Sequence, residues 1–504
     1  MDFGKALDDL IAVFSPERAL RRRSFRDAYF GYDAGSPTRK DLPFGVDGRA
    51  ESINSASRNT LRARARNLER NSDVMGGMLY ALENNVVGSH INMQAMSSDK
   101  KFNERIEQLF HDWEHCENCD ITGQQNLTEL TKLALRRIKV DGGILATYVY
   151  DKDSKYGLKI QMREVDELVN DNEPKLENGN IVSNGVEMTP YGKPVFYYLN
   201  RYDANGFSME MTPEKVKAEN VDFLWKKERP SQYREIPPMA RSITRISDID
   251  DYTNAVAFQQ KTNACTSAFI ETDNQTATVG RMANTNDGER LRELRAGSVI
   301  YLRPGEKMKQ FSPNGQGTEM ENFVITELRM ISASHGLSLE SATRNVERVN
   351  YSSARQNMLA DQLTYKEWQQ FLIEHFLRKL YVRFVKNCWL LGLLDDTNFN
   401  PNNMDYYKAV WLTEGLPWID PKKEADANTI QLANGGLSFQ KFCADNGVDW
   451  RERLKEMAEV QKLADELGVK LNYIETVKSL GEKGGEENGN GKDSKNGNEN
   501  GDIE

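Results

Sequence analysis

Apolar positions along the chain follow two periods, and the longest helical pattern lies between residues 319 and 392. Met320, Phe323, Val324, Leu328 and Ile331 recur at helical spacings, and Gly336 stands just past the last of them, where a glycine closes a helix. A polar stretch, GLSLESATRNVERVNY, follows. Tyr365, Trp368, Leu372, Phe376, Leu380 and Phe384 then repeat every three or four residues, with no proline before Pro401. Ser353, with Gln356 three residues on, reads as the capping box that starts this helix. It would be roughly 55–60 Å long at about 1.5 Å per residue. It is too charged to span a bilayer and lacks a sustained heptad seam. The expected role is a spine between domains.

Elsewhere the pattern is shorter in range. Phe3, Leu7, Leu10 and Phe14 make a short amphipathic helix, followed by Arg21, Arg22 and Arg23 in a polar arm over residues 1–50. A helix is expected from Ser57 to about Val86, closed by Gly88, and another over 101–119. The period then drops to two at Ile144–Tyr150, Leu158–Val165, Pro194–Asn200 and Val221–Trp225, with β-branched and aromatic residues that suit strands. Residues 51–236 thus read as an α+β domain with a mostly antiparallel sheet. Pro237 and Pro238 open a further helix with Met239, Ile243, Ile246 and Ile249 as its apolar stripe. Short strands and turns fill 265–318, including Ser298–Leu302 and the turn at Pro304-Gly305. Residues 400–480 are helical again, with Leu454, Met457, Val460, Leu463 and Leu467 in register. Past Gly481 the chain is mostly Gly, Asn, Glu and Lys and cannot bury enough apolar surface to order itself.

The totals narrow the function. A chain of 504 residues suggests three or so domains at roughly 150 residues each. Its hydrophobic fraction of 38% is low for a compact enzyme and suits an elongated or ring-forming subunit. A net charge of −10 argues against a high-affinity nucleic-acid binder. Five cysteines point to a reducing compartment without a disulfide framework. No stretch approaches the roughly 20 apolar residues of a membrane span, and no signal-peptide run opens the chain, so a soluble, unexported protein is expected.

Three groups of side chains invite chemistry. Arg62, Arg66 and Arg70 fall four apart and share one helix stripe. They could face phosphates, pair with a neighbouring subunit, or be solvated, as most helical charge stripes are. Asp141, Glu164 and Asp166 lie at strand edges, where carboxylates could hold two metals for phosphodiester cleavage. Glu164 and Asp166, however, alternate about Val165 as ordinary strand positions do. His111, His115, Cys116 and Cys119 include a C-x-x-C, yet no second ligand pair accompanies it, so two semi-buried cysteines are the simpler reading. The run GNGKDSK lacks the glycine spacing and the Ser/Thr after Lys492 that a phosphate loop needs. No Ser/His/Asp cluster emerges from five histidines. A non-enzymatic protein without cofactor or metal is expected, with a metal-dependent nuclease or a DNA-binding adaptor as the alternatives.

Several segments, in order, resemble the lambda-type phage portal proteins. These are RARNLERNSDVMGGMLYALENNVVG, VDGGILATYVY, LKIQMREVDEL, NGVEMTPYGKPVFYYL, RPSQYREIPPMARSITRISDIDDYTNA and AGSVIYLRPGEKMKQFSP. The motif Asn350-Tyr351-Ser352-Ser353-Ala354-Arg355, behind LRMISASHGLSLE, completes the series. The likeness covers about residues 57–390. It departs at Glu235, where the family usually carries glycine, at Leu224, where histidine is common, and at Asn345, where the family is often acidic.

The resemblance implies a ring of about twelve subunits, a homododecamer with closed symmetry, at one capsid vertex. It implies the portal fold: an arm over 1–50, a wing over 51–236, a first stem helix over 237–263 and a clip over 264–318. A second stem helix over 319–336, a tunnel loop over 337–351, a long wing helix over 352–398, a crown over 399–480 and a disordered acidic tail over 481–504 follow. Double-stranded DNA would pass through the channel during packaging and ejection. The terminase large subunit, head-completion and connector proteins, and the major capsid and scaffold proteins would be the partners. The location implied is the portal vertex of the virion, after assembly in the host cytoplasm. Ser341, Arg344, Asn345, Arg348 and Asn350 would line the tunnel. Arg344 and Arg348 would either touch the DNA backbone transiently or pair with carboxylates such as Glu340 and Glu347.

Overall fold

The computed structural model describes residues 47–169, 176–202, 212–265, 269–272, 306–309, 317–347, 349–413 and 421–469, with a few residues between 11 and 18. The amphipathic segment at Phe3–Phe14 apart from Ile11, the arginines at 21–23, the strand at Ser298–Leu302, the turn at Pro304-Gly305, Arg348 and the tail beyond Gly481 lie outside the described residues. The chain forms two compact units, residues 1–56 and 57–504, and the sheets and the long helix belong to the second.

The expected helix over 57–86 is two helices, α1 (Ala50–Asn71) and α2 (Asp73–Val86), broken at Ser72, whose backbone is extended (φ −107°, ψ 122°). Strand β1 (Ile91–Ala95) leads to α3 (Lys100–Trp113), capped by the Asp99 side chain. A single turn at Cys116–Cys119 replaces the end of the expected 101–119 helix. Helix α4 (Leu127–Val140) lies outside the expected elements; Asn126 and Glu129 form its complete capping box, and Leu130, Ala134, Leu135 and Ile138 line its buried face.

Strands β2 (Gly143–Tyr150), β3 (Leu158–Arg163) and β8 (Val221–Trp225) make an antiparallel sheet in the order β3-β2-β8. A second antiparallel sheet runs β4 (Ile181–Ser183), β5 (Val186–Met188), β6 (Pro194–Leu199) and β7 (Glu214–Lys217). Successive residues of a strand point to opposite faces. Ile144, Ala146 and Tyr148 therefore enter the main core, while Leu145 enters a smaller one with Val186, Tyr197 and Leu199 from the second sheet. This central strand is buried on both faces. The strand expected to reach Val165 ends at Arg163, because residues Val165–Glu167 coil into one 3-10 turn.

Gly142 joins α4 to β2 with φ 93°, and a Cβ there would fall 2.6 Å from the Ile236 carbonyl carbon. Only glycine fits that approach. After a 3-10 turn at Pro238–Arg241, α5 (Ile243–Cys265) buries Ile246 and Ile249. Strands β9 (Phe269–Thr272) and β10 (Glu306–Lys309) pair antiparallel. Helix α6 (Gly317–Ser334) returns alongside α5, and Gly336 (φ 70°) closes it.

The polar stretch that follows contains α7 (Leu339–Thr343), and then comes the long helix α8. It runs as Tyr351–Leu372, a π turn at Ile373–Leu377, and Arg378–Leu390. Its cap is Asn350, whose side chain accepts from the Ser353 amide at 2.9 Å, so the helix begins before the expected Ser353–Gln356 box. Leu372, Phe376, Leu380, Tyr381 and Phe384 sit in the main core, where Phe384 lies 5.0 Å from Trp113 and 5.3 Å from Phe110. Strand β11 (Ala409–Thr413) pairs antiparallel with β1, bringing Trp411 into the same core. Residues 409–413 thus complete the body begun near residue 57. Helices α9 (Pro421–Ala433), α10 (Phe439–Asp445) and α11 (Trp450–Leu467) end the described chain.

Candidate functional site

The loop between α6 and α8 is held from one side by a buried carboxylate. Asp361 of α8 is only 3% exposed and accepts the Ser338 amide at 2.7 Å, the Ser338 hydroxyl at 2.6 Å and the Ser341 hydroxyl. Three hydrogen bonds satisfy a carboxylate that would otherwise be costly to bury. Ser341 is thereby tied into the body. Helix α7 packs on α2 and α6, and Arg344 ends it in the left-handed conformation (φ 58°), its amide donating to the Glu340 carbonyl at 2.7 Å.

The exposed part of the loop starts there. Arg344, Asn345, Val346 and Glu347 are all exposed. The Arg344 guanidinium rests 4.7 Å from the centre of the Tyr80 ring on α2, while Glu340 accepts from Asn357 at 3.0 Å. Asn345 accepts the Glu347 amide at 3.0 Å, an Asx turn that keeps the tip short. Asn350 spends its side chain on capping α8, with Ser352 and Ser353 exposed and Arg355 half-buried in the first turns. The motif from Asn350 to Arg355 is therefore a helix start. Of the residues expected to line a tunnel, Arg344 and Asn345 lie at the exposed tip, while Ser341 and Asn350 brace it.

Helices α5 and α6 root this loop in the body. Ser242 Oγ lies 2.9 Å from His335 Nε2 and 2.9 Å from Ser334 Oγ, Arg245 pairs with Glu327 at 2.5 Å, and Tyr252 packs edge-on to Phe323 at 5.0 Å. Acids outnumber bases on both helices: Asp248, Asp250 and Asp251 against Arg245 and Lys261, and Glu319, Glu321 and Glu327 against Arg329.

The arginine stripe and the carboxylates, read separately in the sequence, meet each other. Arg62 pairs with Asp166 at 3.1 Å and with Glu235 at 3.3 Å. Arg66 pairs with Asp141 at 2.7 Å and Asp166 at 2.6 Å, and comes within 3.6 Å of Glu164. These two positions of the stripe are thus engaged within the chain. The acids in turn are bound to guanidinium groups. Among the described residues no three His, Cys, Asp or Glu side chains converge to hold a metal ion. His111 bonds Glu114 at 2.7 Å, and Cys119 donates to the Glu114 carbonyl, its thiol pushed up to about 12 by burial. No described helix is long and apolar enough to cross a membrane.

Comparison with known proteins gives this geometry a family. The model of the phage portal protein, lambda family, matches residues 44–369, from ahead of α1 into α8. The probable portal protein of Halomonas phage phiHAP-1 is 25% identical over 448 residues, covering 86% of each chain. The portal protein of Escherichia phage N15 is 21% identical over 433 residues, covering 77% of this chain and 81% of the relative. Among solved structures, a chain from the virion of a native gene transfer agent particle superposes with a TM-score of 0.44 at 11% identity, over 81% of this chain and 94% of its own. The family match takes in the arginine-anchored body, the α5–α6 pair and the loop braced by Asp361, and the chain belongs to the lambda family of phage portal proteins.

Proposed function

We propose that this chain assembles into a ring of about twelve copies at one capsid vertex, closed by a single repeated contact. Its channel carries double-stranded DNA during packaging and ejection. The ring docks the terminase large subunit and later the head-completion and connector proteins, and contacts the major capsid and scaffold proteins as the shell forms. The observation that carries this is the family match over 44–369. Exposed apolar side chains support it: Leu359 and Leu363 on α8, Phe323 and Met330 on α6 and Phe258 on α5 are the residues a neighbouring copy would cover.

In this reading α5 and α6 are the stem, the β9–β10 ribbon belongs to the clip and the loop at 337–351 faces the tunnel; of 399–480, β11 belongs to the body and the helices after it contribute the crown. The acid excess of the stem agrees with a conduit, since each phosphate neutralised by Lys or Arg adds salt-sensitive affinity and an acidic wall adds none. Arg344 and Arg348 are the loop's contacts with the backbone. Arg344 rests on an aromatic ring, so its charge stays available to a phosphate. Replacing both arginines by alanine leaves ring assembly intact and alters the length or retention of packaged DNA. Unchanged packaging in that double variant would remove the arginines from the account. Capsids assembled without this chain, yet filled with DNA, would remove the function.

A further inference from the structure

A cavity of about 210 Å³ lies where the two stem helices leave the body, lined by α4, the segment after β8, the turns at the start of α5 and the end of α6, and α8. Lys139 reaches it from α4 and is only 2% exposed. Its ammonium sits 3.8 Å from the centre of the Trp368 ring. Among the described residues no carboxylate lies within ion-pair distance of it and no oxygen accepts from it. The other cations at the cavity have partners: Lys226 pairs with Glu367, and Arg241 with Glu228. Lys226 also lies 5.0 Å from the same indole, so one ring serves two ammonium groups. A ring face offsets only part of the cost of removing an ammonium from water. Lys139 thus has no direct counter-charge among the described residues, and Glu367, engaged with Lys226, acts on it only at longer range.

We propose that this cavity binds a small tetrahedral oxyanion of the sulfate or phosphate class, with Lys139 as its main counter-charge and Lys226 and Arg241 beside it. A free ion fits, because Lys139 is too deeply placed for a duplex backbone to reach. A bound anion would tie α4 and α8 to the roots of α5 and α6, bracing the stem against the body. Nothing in this depends on ring formation.

Charge and pH are linked here. Burial pulls Lys139 down to about 7, with Lys226 adding to the effect and Glu367 opposing it. Glu228, Arg241 and His335 also face the cavity, and burial, then Lys139 and Arg241, push His335 down to about 4, so it stays neutral. The anion needs Lys139 protonated. Its affinity therefore holds below about pH 7 and falls by about tenfold per unit above it.

Calorimetric titration of sulfate into the full-length chain, at fixed ionic strength in chloride, tests this. One sulfate per chain is expected, with affinity falling about fiftyfold between about pH 7 and about pH 9. Lys139→Met should weaken binding by at least about tenfold at neutral pH. Lys139→Arg should bind sulfate evenly across that range, because a guanidinium keeps its charge. Absence of saturable binding, binding unchanged in Lys139→Met, or a fall with pH equally steep in Lys139→Arg would each overturn the proposal. Should Lys139→Met fail to fold, the comparison of wild type with Lys139→Arg decides.

Discussion

Glu235 is fully buried, and its carboxylate meets Arg234 at 2.7 Å and Arg62 at 3.3 Å. The resemblance leads one to expect glycine at this position, so that substitution is informative. Glu235→Gly would leave Arg62 with Asp166 and Arg234 with the carbonyls of Asn184 and Val165, two guanidinium groups short of a buried counter-charge. Removing one partner of a buried ion pair costs about 3–5 kcal/mol. Denaturant unfolding followed by tryptophan fluorescence should show a loss near the lower figure, and a loss below about 1 kcal/mol would mean the pairing is not held in solution. Asp361→Ala should act more locally. It unpairs Ser338 and Ser341, which are half-buried, so the loss should fall near the low end of the about 1–3 kcal/mol that a buried group left unsatisfied costs. Trypsin should then cut at Arg344 faster than in the native chain, while amide exchange in β2 stays unchanged. The partners of these residues were not legible beforehand. Arg66 finds Asp141 and Asp166 in distant parts of the chain, a juxtaposition that local periodicity does not encode.

Among the elements, α8 shows why a four-residue apolar repeat needs help. Steps of four in a straight α-helix drift by about 40° each, so a run from Leu372 to Cys388 would wind off its face. The π turn at Ile373–Leu377 takes up part of that drift and keeps Phe376, Leu380, Phe384 and Cys388 buried. The sequence showed the helix and its length because its apolar residues are frequent and no proline interrupts them, but the π turn leaves no mark except the spacing itself. Phe384→Ala would open a cavity among Phe110, Trp113 and Tyr156, at a cost of about 3–5 kcal/mol. Lowered yield of soluble protein and a depressed thermal midpoint are the expected readouts, and a midpoint equal to that of the native chain would show that α8 is not seated on α3. The strands read from β-branched and aromatic alternation came out within two residues, with Val221–Trp225 matching at both ends. By contrast, α4 lies outside the expected elements although its capping box is written in Asn126 and Glu129. The pairing of β1 with β11 joins segments more than 300 residues apart, and no local pattern announces it.

At the scale of the whole molecule, the family was legible in the order of many weak segments, each too loose to identify anything alone. The loop expected to meet DNA proved to be half anchor and half exposed tip. That division follows from one aspartate on a helix the loop itself precedes. The nuclease alternative loses its carboxylates to arginine partners. The central claim is the ring. Negative-stain electron microscopy of the purified full-length chain should show closed rings with a central hole wide enough for a duplex. A population of monomers that cleaves DNA when Mg²⁺ is added would contradict the account.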